Sequence, residues 1–369
     1  MKTGNKTHSG YNAELDIWRF VFSVAVFLFH LNKMKLSDEQ IFPLGYVATD
    51  FFFMVSGYLM ASSSQRVRGD SIGESTYSFI KKKIVTLYPY VISSFAVAFF
   101  ALQFFTDKPV KKLLYNLSLS YPEMFLFKMS GIKSASFSNG PGWYISAMLI
   151  AMIFLFPLLL KFKKSFLYIA APLFSLFLYA YLSRNFSSLN LAENWNGFVT
   201  AGLLRGIAGL CLGCVCFAVC GKINDCITEL TFAGKLLLFL LQAFLTAVVF
   251  FIMINGNKDK QKDGLDYEAV FLLFVFLIIV FSKKTGISDY IPEKVSRFLG
   301  KFSLPFYLNH RIFTRYYVEC SPEWSNSLTV VLYVLYSVVV SLVMMAVIEY
   351  LRGFNKKHKE TLKKLFVKR

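Results

Sequence analysis

Long apolar runs recur along the whole chain, at 15–31, 43–61, 84–105, 143–160, 166–182, 198–220, 232–254, 267–281, 298–318 and 328–350. A helix needs about 17–25 such residues to cross a bilayer, so each run is a candidate span. The eighth and ninth are the weakest. Inside lipid no water reaches the backbone, so a spanning segment must bond to itself as a helix or close into a barrel. The alternating apolar and polar pattern of barrel strands is absent. The sequence therefore predicts an all-α integral membrane protein with about ten transmembrane helices. Composition agrees, since 56% of the chain is hydrophobic and 41 residues are Phe, more than a water-facing surface could conceal. An ordinary soluble enzyme is excluded.

Lys and Arg number 40 against 22 Asp and Glu. They cluster between the runs and in the tail, where they face anionic lipid headgroups rather than nucleic acid. With ten spans both termini share one side, and most of the basic residues fall on it, including Lys161, Lys163, Lys164 and the tail from Arg352 to Arg369. By the positive-inside rule that side is the cytoplasm. Segment 106–142 dissents with its lysines, but long loops weigh less, and its apolar patches predict that it folds back onto the membrane. The first residues lack the features of a cleaved leader, so the first run reads as an uncleaved anchor. No internal repeat or large water-soluble domain is evident. The chain divides into a cytoplasmic segment 1–13, a membrane domain 14–350 and a basic cytoplasmic tail 351–369, and its chemistry is expected inside the bundle.

An ionisable group in the middle of a span costs about 2.5–3.5 kcal/mol on insertion scales, so such a group has a partner or a task. Arg19 and His30 share the first run. Eleven steps of about 100° return to within roughly 20° of the starting face, about 16 Å further along. One helix face therefore carries Asp16, Arg19 and His30. Arg19 at the mouth suits a phosphate, and His30 at depth suits a proton taken from a hydroxyl. The competing reading is a local Asp16–Arg19 ion pair with a histidine bonded to a neighbouring helix.

The motif Leu15-Asp16-Ile17-Trp18-Arg19, followed after ten residues by His30, resembles the opening of the acyltransferase family 3 integral membrane proteins. The run Asp50-Phe51-Phe52-Phe53-Met54-Val55-Ser56-Gly57-Tyr58-Leu59 resembles the family's aromatic pair followed by Ser-Gly-Tyr. Lys81-Lys82-Lys83 ahead of Pro89, Trp143-Tyr144-Ile145-Ser146-Ala147, Leu299-Gly300-Lys301-Phe302-Ser303 and Tyr307-Leu308-Asn309-His310 resemble later motifs in the same order. The resemblance covers about residues 11–350.

The resemblance implies a ten-helix core that moves an acyl group, usually acetyl, from cytoplasmic acyl-coenzyme A to a hydroxyl on a carbohydrate at the far face, with no metal. It implies that His30 is essential and that Arg19 contacts the donor. A bacterial cytoplasmic (inner) membrane location is expected, with membrane lipid, a carbohydrate acceptor and polysaccharide assembly proteins as partners. Coenzyme A carries several phosphate charges, so Arg19 with Lys81, Lys82 and Lys83 forms the expected docking site. Two positions depart from the family pattern. Thr86 stands where members commonly carry arginine, and Met148 where many carry glutamate. With Met148 apolar, His310 is the second expected polar group, at a depth similar to His30.

Other polar residues have two readings each. Arg311 binds an acidic acceptor or, with Arg315, snorkels. Asp50 binds sugar hydroxyls or pairs with a lysine. Trp143 and Tyr144 at the outer mouth stack on a sugar ring or anchor the interface. Ser56 raises an acyl-serine route, but no base is placed beside it, and Ser56, Gly57 and Tyr58 fit a close helix contact better. Cys211, Cys214, Cys216 and Cys220 do not share one helix face, which favours packing over metal binding. A transporter or flippase of lipid-linked sugars, and a scaffold with a decayed site, are the rival functions.

Overall fold

The computed structural model describes residues 11–67, 71–105, 109–132, 140–256 and 264–367, the side chains of 102–105 and 355–367 excepted. It is helical: α1 (Ala13–Leu31), α2 (Ala48–Ser64), α3 (Ile72–Phe105), α4 (Val110–Leu119), α5 (Tyr121–Met124) and α6 (Gly142–Lys161) come first. A single turn, α7 (Lys163–Ser165), passes through a π-helical turn into α8 (Ala171–Asn185). Then follow α9 (Ala201–Cys226), α10 (Phe232–Asn255), α11 (Leu265–Ser282), α12 (Glu293–Cys320) and α13 (Asn326–Val367).

Loop contacts set the helix directions. At the end of the bundle where α1 starts, Asn12 Nδ2 donates to Val280 O at 2.9 Å and Ala13 N to Ser288 Oγ at 2.9 Å. At the end where α1 finishes, Leu44 N donates to Met253 O at 3.2 Å and Asn326 Nδ2 to Leu36 O at 2.7 Å. The first is the near end of the bundle and the second the far end.

Among the described residues, 7 helices are long and apolar enough to cross a membrane: 72–101, 142–161, 163–185, 201–226, 232–255, 265–282 and 326–354. The eighth run of the sequence, weak by inspection, is among them as α11, whereas α1, α2 and α12 are not. The reason is physical. Glu14, Asp16 and Arg19 lie in α1, α2 is only 17 residues long, and α12 carries Lys301, His310, Arg311 and Arg315. These helices pack against protein: α1 lies along α12, and α2 along α9. A helix surrounded by other helices does not need the apolarity that lipid demands.

Close packing depends on small residues. A Cβ at Gly57 would overlap the Leu210 carbonyl, and one at Gly213 the Met54 carbonyl, so α2 and α9 touch backbone to backbone. A Cβ at Gly300 would overlap the Asp16 carboxylate, which seats α12 against α1. The thiols point apart, Cys214 Sγ to Gly57 O of α2 at 3.6 Å and Cys220 Sγ to Ile278 O of α11 at 3.5 Å.

The third helix begins at Ile72, well before the apolar run, so Lys81–Lys83 ride within it. The last helix runs on through the basic segment to Val367. Within segment 106–142, of which 106–108 and 133–139 lie outside the described residues, Leu113 and Leu117 of α4 pack on Phe95 and Phe99 of α3.

Candidate active site

Two cavities open toward opposite ends of the bundle, and α1 reaches both. The near-end cavity encloses about 400 Å³. Its walls carry Arg19 of α1, Arg66 after α2 and Lys82 and Lys83 of α3, and among the described residues no carboxylate lines it. Arg19 also donates to Asp16 at 3.0 Å, so the ion pair and the cavity contact coexist. Its guanidinium side chain remains 35% exposed, enough to meet a ligand. Lys81 is absent from the wall and sits over the Tyr77 ring at 5.4 Å. Three consecutive helical residues fan out over about 200°, so one of them must face away. Thr86 and Met148, the two departures, both line this cavity.

The far-end cavity encloses about 210 Å³ and is lined by His30, Lys33, Thr49, Trp143, Glu193, Arg205 and Arg311 among others. His30 and His310 stack, with ring centroids 5.1 Å apart and 23° between planes. His310 lies behind His30 and does not itself line the cavity. His310 Nδ1 lies 3.2 Å from Phe306 O. A carbonyl only accepts, so Nδ1 carries the proton and Nε2 of the neutral ring carries a lone pair. His310 Nε2 and His30 Nδ1 are both buried and without hydrogen-bond partners.

Asp50 is occupied. Arg205 Nε donates to its two oxygens at 3.2 and 3.1 Å, and Tyr179 Oη donates to Oδ1 at 2.8 Å. The Arg205 guanidinium also donates to Leu189 O at 2.6 Å and Tyr46 O at 2.8 Å. Both side chains of this pair are almost fully buried. The partner is an arginine 155 residues away, not a lysine, and the carboxylate is fully buried among these donors. Trp143 lines the far cavity but lies 5.7 Å from the Arg205 guanidinium and edge-on to Phe53.

Tyr307 lines both cavities. Its ring stands 5.7 Å from Phe52 and 6.0 Å from Tyr144, and those two are 6.0 Å apart, so three aromatic rings form a septum. Tyr144 thus faces the near cavity and the septum instead of the outer mouth. Its hydroxyl donates to Phe52 O at 3.0 Å and accepts from Ser56 Oγ at 2.8 Å. Ser56 is tied to a phenol, and among the described residues no histidine is bonded to it to activate it. Gly57 contacts α9, and Tyr58 stacks flat on Phe281 at 3.6 Å.

At the outer edge the α12 arginines differ. Arg311 reaches the far cavity and lies against Gly140, where a Cβ would strike the guanidinium. Arg315 pairs with Glu319 at 2.8 Å. Sequence reasoning missed Arg66 and Arg205. Arg205 had a signal, a lone charge in an apolar run between Leu204 and Gly206; Arg66 reaches its cavity only through the turn that ends α2.

Ionisable side chains clustered inside a long-helix bundle mark a candidate functional site within the membrane domain. The sequence profile of a family described as an acyltransferase domain matches residues 12–346, and the chain belongs to that family, acyltransferase family 3. No curated protein and no solved structure matches the chain.

Proposed function

We propose that the chain is a multi-pass O-acyltransferase that takes an acyl group, most simply acetyl, from cytoplasmic acyl-coenzyme A and delivers it to a hydroxyl of a polysaccharide or glycoconjugate on the opposite side of a bacterial inner membrane. In this reading α1, α2 and α12 cross as well, giving ten passes, and both termini are cytoplasmic. The near end, with Lys161, Lys163, Lys164, Lys283 and Lys284, is then the cytoplasmic one.

The observation that carries the reading is that Arg19 and His30, on one face of one helix, line separate cavities that share only a septum residue, Tyr307. A polyphosphorylated donor suits a cavity whose described walls hold four cations, with Asp16 behind Arg19 as their one carboxylate partner. Arg19 and Arg66 offer forked donors to phosphate oxygens, and Lys82 and Lys83 add point charge. The thioester arm then extends toward the septum of Phe52, Tyr144 and Tyr307. An acceptor hydroxyl in the far cavity gives its proton to His30 as its oxygen bonds to the thioester carbon. The carbon–sulfur bond breaks and the thiolate leaves toward the near end, where it takes up a proton. His310, packed on His30 and held through Nδ1, acts as a positioning residue that fixes the ring of the base.

Purified protein in nanodiscs tests the reading. Titration with acetyl-coenzyme A should show binding that Arg19→Ala weakens, and acceptor-dependent thiol release that His30→Gln abolishes with donor binding intact. Well-folded wild type that binds no acyl-coenzyme A would remove the acyl-transfer reading and favour transport of a lipid-linked sugar.

A further inference from the structure

Beside the far cavity lies a second one of about 440 Å³, lined by Lys128, Met129, Gly131, Ile132, Glu193, Trp195 and Thr200. Glu193 lines both cavities, so the two adjoin at its carboxylate. Trp195 is 54% exposed, so part of its indole is open to a ligand in this cavity.

The platform is built. Gly131 adopts φ +88, and a Cβ there would overlap the benzo edge of the Trp195 ring, so a glycine backbone backs the indole. Trp195 pairs with Thr200 in an isolated antiparallel bridge, and Asn196 N donates to Val199 O at 3.0 Å. Thr200 Oγ1 donates to Met129 O at 3.2 Å, which ties this loop to the segment carrying Gly131. Lys128 is buried and meets Glu193 Oε1 at 2.9 Å. One face of a rigid indole beside an oriented ammonium–carboxylate pair is what a pyranose ring requires. Its C–H face packs on the aromatic ring while its hydroxyls bond to the charged groups.

We infer that Trp195, Lys128 and Glu193 form a second sugar subsite, which holds the unit next to the one being acylated in the His30 cavity. The inference rests on the acyltransferase reading above. It narrows the acceptor class to a glycan chain of at least two units and makes a free monosaccharide or small metabolite a poor substrate.

The test uses the full chain in nanodiscs with acetyl-coenzyme A. The acceptors are size-fractionated oligosaccharides, and the monosaccharides derived from them, from a partial hydrolysate of the surface polysaccharide of the producing cell. Wild type should acylate the oligosaccharides about tenfold more efficiently than the monosaccharides, the scale of one stacking contact. Trp195→Ala should raise KM for oligosaccharides about tenfold at unchanged kcat and leave monosaccharide acylation and acceptor-free thiol release as they were, with Trp195→Phe restoring most of the loss. An equal effect on both acceptor sizes, or none on the oligosaccharides, overturns the subsite. A uniform fall that includes thiol release assigns Trp195 to anchoring at the headgroups and also overturns it. Wild type that releases thiol but acylates no fragment refutes the carbohydrate acceptor itself, an outcome distinct from failure of the subsite.

Discussion

At the near end Arg19, Arg66, Lys82 and Lys83 line a cavity that no carboxylate of the described residues lines, whereas at the far end Arg205 is bound to Asp50 and the cavity wall includes Glu193. The same residue types therefore do different work. Cations in excess of anions around a cavity, here four with Asp16 paired to one of them, attract a polyanion, and the field is strongest where low-dielectric walls confine it. An arginine locked to a buried aspartate holds four elements together instead, since its donors reach α2 and the loops at Tyr46 and Leu189. Charge balance thus separates a donor end from an acceptor end, and α1 joins them.

The sharpest break of this comparison is His30→Gln. Loss of a general base typically costs about 10²–10⁴-fold, so acyl transfer should fall by that factor, while acetyl-coenzyme A affinity, read by calorimetry, should not change. A parallel loss of donor binding would mean that the two ends are not separate sites. Next is Arg205→Met, which strands the Asp50 charge in the bundle. Breaking such a buried pair costs about 3–5 kcal/mol and should appear as a lower melting midpoint in detergent. Arg19→Met, at a side chain 35% exposed, should barely move that midpoint. Then comes a contrast between neighbours: Lys82→Ala should weaken acetyl-coenzyme A binding about tenfold and flatten its salt dependence, whereas Lys81→Ala should leave both unchanged. The smallest effect belongs to Arg315→Ala, which loses an outer-edge pair with Glu319 worth less than about 1 kcal/mol and should keep full transfer. A large loss of activity there would extend the acceptor site beyond Arg311.

Most of the helices were legible because lipid imposes a length and an apolarity that few other environments demand. Three runs differ: α1 and α12 carry polar side chains that meet other helices, and α2 is short and packed along α9. Arg19 and His30 were readable as one face from helical spacing. Their separation into two cavities was not, since the septum brings together Phe52, Tyr144 and Tyr307 from three helices. Lys81 and Lys83 are about 200° apart on their helix, so the three lysines could not all face one cavity, whereas the turn of Tyr144 toward the near cavity depends on its partners Phe52 and Ser56. The Asp50 partner and the Trp195 platform were not legible, because one rests on a contact across 155 residues and the other on an irregular loop without periodicity.

The central claim is that donor and acceptor meet the protein at opposite ends. Proteoliposomes with uniformly oriented protein, labelled acetyl-coenzyme A on one side and glycan on the other, test it directly. The account predicts labelled glycan only when the donor faces the Arg19 end and the glycan faces the His30 end. Equal labelling with both substrates confined to one side would contradict it.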